Sequence, residues 1–271
     1  MAIEVIVSGA AGRLGRRVLA AVARTEGLSL VGAVVRPGSA AAGRSLAELS
    51  GEPRALGQAV TELGPLLSPR RVLIETAPKA IALTNVRAAA DKGAAVLVAT
   101  TGFSNVEREA IEGTGQRVPV LLAANLSLGI GVLTELVRQA ARALPGYDLE
   151  VLELHHNQKK DAPSGTAWLL ARAAAEARGQ KIDDDAIVAR AGDVGARGKR
   201  EIGLQSIRGG DIIGEHTVFV VGGAERIELT HRAQTRDVFA EGAAQAALFL
   251  GAGDRAPGVY GMRHVLGLGG S

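Results

Sequence analysis

Apolar and polar positions along the chain fall into two regimes. Up to about position 126, short apolar runs alternate with stretches of helical period. The runs predict strands at Ile3–Val7, Leu28–Val35, Val72–Glu75, Ala95–Ala99 and Val118–Ala123. The helical stretches run from the turn after Val7 through Val22, over Ile81–Lys92, and near Val106–Glu112. Strands that alternate with helices in this way predict a doubly wound parallel sheet. A long helix, roughly Ile130–Ala143, then leads to strands at Leu149–Leu154, Ile202–Ile207, Glu215–Val221 and Arg226–Thr230 with few helices between them. That pattern predicts an open mixed or antiparallel sheet. A last helix, Val238–Leu250, returns to the first domain.

The expected fold is therefore α/β, with an N-terminal Rossmann-like doubly wound parallel sheet and a second α+β domain with an open mixed sheet. The first domain is expected over 1–126 and 237–271 and the second over 127–236, with hinges at Asn125–Ser127 and Thr235–Asp237. Gly179–Arg200, charged, glycine-containing and weakly periodic, reads as a long loop or insertion at the sheet edge.

Composition narrows the class. A chain of 271 residues, 47% hydrophobic and 22% charged, has the make-up of a soluble globular protein with room for two domains. A net charge of +3 spread along the sequence, with only 3% aromatic residues to stack on bases, argues against a nucleic-acid partner. No apolar run approaches the roughly 18 residues of a membrane span, and Glu4 interrupts the first apolar stretch, which reads as a strand rather than a secretion signal. The absence of cysteine excludes disulfides and fits a cytoplasmic location.

Two segments carry chemistry. Directly after the first strand comes Ser8-Gly9-Ala10-Ala11-Gly12-Arg13-Leu14-Gly15, a GxxGxxG turn that opens a helix. Strand, glycine turn and helix start form the usual seat of a dinucleotide pyrophosphate, because glycine lets the backbone approach and the helix start offers amides. At the end of the second strand no acid is present to hold ribose hydroxyls; Arg36 stands there instead, which suits a 2′-phosphate. NADPH is thus the expected cofactor over NADH. Lys79, just past another strand, adds a possible charge nearby, although an exposed lysine is ordinarily just solvated.

The second segment is His155-His156-Asn157-Gln158-Lys159-Lys160-Asp161-Ala162-Pro163-Ser164-Gly165-Thr166-Ala167. A strand delivers the two histidines to its end and points them to opposite sides. Ser164 suits an N-cap, which places Gly165 and Thr166 at a helix start that favours an anion, with Lys159 and Lys160 close by. A carboxylate-bearing substrate fits this arrangement, and the imidazole and ammonium groups can supply the proton that reduction of a C=N bond requires. No metal site is expected: adjacent histidines diverge, cysteine is absent and no HxxxH spacing occurs.

With both segments in view, the chain resembles the 4-hydroxy-tetrahydrodipicolinate reductases, also called dihydrodipicolinate reductases, over essentially its whole length. The most specific match is to the family's E-x-H-H-x-x-K-x-D-A-P-S-G-T-A signature, from Glu153 through Ala167. Further blocks follow in the family's order at Gly9 to Gly15, Thr100 to Phe103, Ala124 to Gly129 and Arg208 to Thr217. The resemblance implies that His155 and Lys159 are catalytic and that His156, Lys159, Ser164, Gly165, Thr166 and Thr101 bind a cyclic dicarboxylate. It also implies cofactor contacts from Gly9, Ala10, Ala11, Gly12, Arg13, Leu14, Gly15, Arg36, Ala77, Ala99, Thr100, Thr101, Ala124, Asn125 and Arg236. The implied reaction is NAD(P)H-dependent reduction in lysine and diaminopimelate synthesis by a cytoplasmic homotetramer. Two alternatives stand beside it: an imine reductase for another cyclic or amino-dicarboxylate substrate, and a silent NADPH-binding regulator. Phe103 reads as packing, and His216 and His231 as structural. The sequence departs from the family at Glu75-Thr76-Ala77, where Asp-Phe-Thr is usual, at Ala99 for glycine, and at Leu126 for phenylalanine.

Overall fold

The computed structural model describes residues 2–55, 57–253 and 255–268. Met1, Leu56, Asp254 and 269–271, which fall within the ranges expected for the first domain, lie outside the described residues. The chain divides into two compact units, Met1–Ser127 with Asp237–Ser271, and Leu128–Arg236.

The first unit runs β1 (Ile3–Ser8), α1 (Arg13–Arg24), β2 (Leu28–Val34), α2 (Leu46–Ser50), β3 (Ala59–Val60), β4 (Val72–Glu75), α3 (Lys79–Asp91), β5 (Ala95–Val98), α4 (Asn105–Gly113) and β6 (Pro119–Leu122). The second holds α5 (Leu128–Ala143), β7 (Asp148–His155), α6 (Gly165–Ala177), α7 (Ile182–Asp185), β8 (Ala186–Val188), β9 (Ile202–Arg208), β10 (Glu215–Val221) and β11 (Arg226–Arg232). The chain then returns to the first unit with α8 (Asp237–Gly251), β12 (Gly258–Tyr260) and α9 (Met262–Val265).

In the first unit seven strands pair in the order β12-β6-β5-β4-β1-β2-β3, every pairing parallel. All four residues of β4 and of β5 are buried, as expected of strands covered on both faces. Ile6, Leu73, Val96, Val98 and Val120 form one cluster with Val86 and Ala89 of α3 and Ile111 of α4, and Phe103 packs against it. On the helical side α1 packs against α8. Strand order reverses between β1 and β4, so the loops after β1, β2, β4 and β5 diverge around the C-terminal ends of the central strands. The sequence pattern misses α2, β3, β12 and α9, each too short to show a period.

Helix α8 lies against the end of β6. A Cβ at Gly242 would stand 1.8 Å from the Leu126 carbonyl oxygen, so only glycine permits this approach.

The second unit is a mixed sheet of order β11-β10-β7-β9-β8, antiparallel between β11, β10 and β7 and parallel between β7, β9 and β8. One face is covered by α5 and α6, whose Ile130, Leu133, Val137, Leu170 and Ala174 pack on Leu149, Val151, Leu204, Val218 and Val220. Arg178 closes the C-terminal end of α5 by donating to the carbonyls of Ala141, Leu144 and Tyr147.

The segment expected as a long loop or insertion at the sheet edge, Gly179–Arg200, lies at the β8 edge of the sheet and is partly structured. It contains α7 and the edge strand β8, and the rest is held by ion pairs. Arg190 takes Glu150 bidentately at 2.9 and 3.0 Å, and Arg197 reaches Glu150 at 3.1 Å and Asp148 at 2.7 Å. Glu150 can extend across β9 because its register partner is Gly203, where a Cβ would come within 1.8 Å of the Glu150 carboxylate. Periodicity does not reveal this order, because charge pairing rather than an apolar face fastens the segment.

Replacing Gly242 by alanine gains up to about 1 kcal/mol of helix propensity but forces a methyl group into a backbone carbonyl. Overpacking of this kind costs about 1–3 kcal/mol, so Gly242→Ala is expected to lower the urea midpoint of unfolding. An unchanged or higher midpoint contradicts the packing described for α8.

Candidate active site

The first unit holds a cavity of about 1340 Å³ at the divergence of the loops after β1, β2, β4 and β5. That exceeds the roughly 300–1,000 Å³ of ordinary small-molecule pockets. Its wall is the glycine turn. Gly9 has φ +75°, and a Cβ there would lie 2.6 Å from the Ala77 nitrogen; a Cβ at Gly15 would lie 2.3 Å from the Gly9 oxygen. Gly12 is the N-cap of α1 and provides no side-chain cap, so the first amides of the helix are left to a ligand. Turn, cavity and uncapped helix start together fit a dinucleotide.

The cavity is basic at one side, where Arg16, Arg36 and Arg44 line it with Ser39. Lys79 lines it too and is paired with Glu107 at 3.2 Å, so its charge is shared rather than merely solvated. The floor is built by the Glu75-Thr76-Ala77 departure. Glu75 is fully buried, and its carboxyl accepts from the Ala77 amide at 2.6 Å and from Asn85 at 2.7 Å. Burial raises its pKa, although the hydrogen bonds from Asn85, Ala77 and Ser8 oppose that. Thr76 bonds the Ser8 carbonyl and Thr100 the Ala77 carbonyl, which ties the ends of β1, β4 and β5 together.

In the second unit the face of the sheet toward α5 and α6 changes character along β7. Leu149 and Val151 are core, but the next two residues of the same face are Glu153 and His155. Their register neighbours are Ser206 and Arg208 on β9 and, opposite Glu153, His216 on β10. A polar layer thus replaces the hydrophobic one at this end of the sheet, and α6 begins on top of it. Ser164 caps α6, its hydroxyl accepting from the Ala167 amide at 3.1 Å, and lies 3.1 Å from His216 Nε2.

Glu153, 0% exposed, is bonded by His155, Arg208, the Ser164 amide and the Ser206 side chain. Oε2 accepts from His155 Nδ1 at 2.5 Å and Arg208 Nη1 at 2.8 Å, and Oε1 from Arg208 Nη2 at 2.8 Å and the Ser164 amide at 3.1 Å. Burial alone would raise the Glu153 carboxyl, but the hydrogen bonds from His155 and Arg208 outweigh it and bring the pKa to about 2. An ionised carboxylate only accepts, so His155 Nδ1 is the donor and Nε2 is left for other work. That Nε2 faces Gly214, where a Cβ would be 3.1 Å away. Burial, then the nearby His155, hold the His216 imidazole down at about 3, so it is neutral. The two rings meet edge to face at 5.2 Å.

His156 leaves the strand and accepts at Nε2 from Arg236 at 3.1 Å, since a guanidinium only donates. Desolvation and then the charge of Arg236 lower its pKa, which keeps it neutral as well. Lys159 is paired with both oxygens of Asp161 at 2.9 and 2.8 Å. Arg208 also donates to the Asp161 carbonyl at 2.6 Å, which fastens the lysine loop to the polar layer.

The second unit therefore gathers His155, His156, Lys159, Ser164, Gly165 and Thr166, together with Arg236. Within the first unit Gly9, Ala11, Gly12, Arg36, Ala77, Ala99, Thr100 and Thr101 line the cavity. Arg13, Leu14 and Gly15 form the first turn of α1. Ala10 plays a different part from the one expected: it is fully buried and its amide is spent on the Val34 carbonyl. Ser164 is likewise buried as a cap rather than presented to a ligand. Ala124 and Asn125 follow β6, outside the cavity wall, and Asn125 accepts from the Ser127 amide. Sequence reasoning assigned no role to Glu153, Arg208, Arg16 or Arg44 and took His216 for structure alone. One signal was available for Glu153: it lies three residues from Glu150, so the two acids cannot share a face, and Glu153 falls on the apolar one.

Among the described residues no group of three or more His, Asp or Glu is placed to hold a metal ion, and no helix is long and apolar enough to cross a membrane.

Comparison with known proteins gives concordant matches. The family model for the dihydrodipicolinate reductase N-terminus matches residues 3–126, and that for the C-terminus matches residues 129–266. The chain is 46% identical to a 4-hydroxy-tetrahydrodipicolinate reductase of Anaeromyxobacter dehalogenans (strain 2CP-C), over 98% of each chain. It is 41% identical to the protein of the same name from Syntrophotalea carbinolica, over 98% of this chain and 99% of that one. The fold resembles that of a dipicolinate-bound dihydrodipicolinate reductase from Paenisporosarcina sp. TG-14, with a TM-score of 0.74 at 22% identity, covering 96% of this chain and 98% of that one.

His216 is neutral when folded but takes up a proton near pH 6.5 when unfolded. Between pH 6.5 and about 3 the unfolded state therefore binds more protons, and stability falls as pH drops, by at most about 1.4 kcal/mol per pH unit. Glu153 adds its own loss only below its unfolded value of 4.5. His216→Gln, which keeps a polar partner for Ser164, is expected to flatten the stability profile between pH 6.5 and 5. Chemical denaturation across that range checks it; an unaltered slope counts against a buried neutral His216.

Proposed function

The chain belongs to the dihydrodipicolinate reductase family, and we infer from this that it reduces 4-hydroxy-tetrahydrodipicolinate to tetrahydrodipicolinate in lysine and diaminopimelate biosynthesis. It is an NAD(P)H-dependent oxidoreductase. The observation that carries the residue-level reading is the polar layer of the second unit, where an oriented histidine, a lysine and a capped helix start converge. When bound, the nicotinamide supplies a hydride.

The remaining requirements fall on the chain. Gly165 and Thr166, at the N-terminus of α6, receive one substrate carboxylate, favoured by the helix dipole. Arg236 and neutral His156 offer donors for a second, and Lys159 adds full charge once a substrate carboxylate competes with Asp161 for it. Hydride addition to a conjugated imine leaves negative charge that must be quenched, and His155 Nε2 and Lys159 Nζ are the groups assigned to hold and deliver that proton. Thr101 contributes to substrate binding, and Thr100 and Ala99 to the cofactor wall.

The cofactor reading is a preference for NADPH. Arg36 stands where an acid would bind ribose hydroxyls, and Arg16 and Arg44 flank it on the cavity wall, which supplies the charge that a 2′-phosphate needs. NADH remains usable, because the pyrophosphate and nicotinamide ends do not depend on that charge.

A homotetramer and a cytoplasmic location complete the reading. The sheet face opposite α5 and α6 carries Leu152, Leu154 and Phe219 half-buried and Ile207 45% exposed, an apolar surface of the kind that a second copy covers. The lack of cysteine fits a reducing compartment. Neither alternative raised from sequence has an observation in its favour.

With freshly generated 4-hydroxy-tetrahydrodipicolinate and NADPH absorbance as readout, His155→Gln and Lys159→Ala are each expected to lower kcat by about 10²–10⁴ while NADPH binding is kept. Near-normal turnover in both removes the assignment. Arg36→Ala is expected to lower kcat/KM with NADPH by about 10-fold or more, the loss of a charged contact worth roughly 1.4 kcal/mol or above, and to leave NADH little changed. An unaltered ratio of the two cofactor efficiencies rejects the phosphate role.

A further inference from the structure

Glu153 links the histidine of β7 to the start of α6. It bonds the imidazole of His155, the backbone at the cap of α6, and Arg208, and Arg208 in turn holds the carbonyl of Asp161 on the lysine loop. A buried ion pair needs only one partner to be compensated, and Arg208 alone meets that need bidentately. Of its further contacts, those from His155 and from the Ser164 amide belong to groups that the proposed chemistry uses.

We propose that Glu153 is the positioning residue of this reaction: it keeps one proton on His155 Nδ1, so that the proton given up by Nε2 leaves a neutral Nδ1–H ring, and it bonds the backbone at the cap of α6. The proposal rests on the reading of His155 as a proton carrier and of the α6 start as the carboxylate seat. Arg208 is its support, holding the carboxylate ionised and in plane.

The geometry makes the alternative tautomer costly. With Glu153 ionised, an imidazole protonated only at Nε2 would set two lone pairs against each other at 2.5 Å in a site closed to water. Rotation of the ring away from Glu153 is opposed by Gly214 on one side and the His216 ring on the other. A neutral amide in place of the carboxylate reverses the preference, since its NH₂ would donate to Nδ1 and drive the proton to Nε2.

Losing the orientation of His155 acts on kcat, whereas the glutamine oxygen left at the Oε1 position still accepts from the Ser164 amide and keeps KM for the dicarboxylate little changed. The dinucleotide cavity lies wholly in the other unit, so affinity for NADPH serves as the internal control.

The test compares the wild-type protein, Glu153→Gln, Glu153→Asp and His155→Gln. In Glu153→Gln, kcat is expected to fall by about 10²–10⁴, the range for a misoriented acid–base group, with KM for the dicarboxylate and NADPH Kd each within about twofold of wild type. Glu153→Asp, which keeps the charge, is expected to recover part of kcat. Imidazole ¹⁵N spectra are expected to show His155 protonated at Nδ1 in the wild type and shifted toward Nε2 in Glu153→Gln. If His155→Gln is inactive while Glu153→Gln keeps its kcat, the positioning role is overturned and the reductase reading survives. If His155→Gln itself turns over normally, it is the underlying reading that fails. Should Glu153→Gln not fold, the wild-type spectrum decides alone: a His155 Nδ1 without a proton overturns the proposal.

Discussion

A single buried carboxylate organises the polar end of the second unit. Glu153 sits where the alternation of β7 demands an apolar residue, and its charge is tolerated because Arg208, His155 and the Ser164 amide replace the water it has lost. An uncompensated charge at that depth would cost several kcal/mol, and the bidentate pair with Arg208 offsets it. The same set of bonds defines the end of the hydrophobic core of the second unit. Below Glu153 the sheet packs on α5 and α6 through Leu149, Val151, Leu204 and Val218; above it the sheet is hydrogen-bonded. Helix α6 starts at that boundary, where its first amides meet polar surroundings rather than packed side chains.

The first unit depends on a different constraint, that of close approach. Gly9 and Gly15 bring backbone to backbone at distances no side chain allows, and the space so created is the cavity. The departures from the family pattern are absorbed here. Glu75 is longer than aspartate, yet it is fully buried and its oxygens are taken up by Ala77, Asn85 and Ser8, so the strand end is held by hydrogen bonds instead of exposed to the ligand. One unit thus shapes a basic, glycine-walled space and the other an acid–base layer.

Much of this was legible in the sequence where a signal is local. Period and turn chemistry located β1, α1, β4, α3, β5 and α5, because each is long or sharply bounded; α2, β3, β12 and α9 were missed because two to five residues carry no period. Ser164 was recognised as a cap from residue type and position, and the structure gives it that bond. The segment after Gly179 was read as a loop since its order comes from Arg190 and Arg197 reaching Glu150, a residue some forty positions earlier. His216 was read as structural for the same reason: its neighbours His155 and Ser164 lie more than fifty positions away.

By itself, then, the sequence determined the fold class, the glycine turn, and the histidine, lysine and helix start of the second segment, all of which depend on neighbours within about a dozen residues. Tertiary structure alone decided which polar residues became one site. Glu153, Arg208 and His216 come from three strands, and only the register of β9 and β10 against β7 sets them side by side. That adjacency becomes chemistry because fixed hydrogen-bond donors hold the Glu153 carboxyl down at about 2 against the effect of burial, while burial itself holds the His216 imidazole down at about 3.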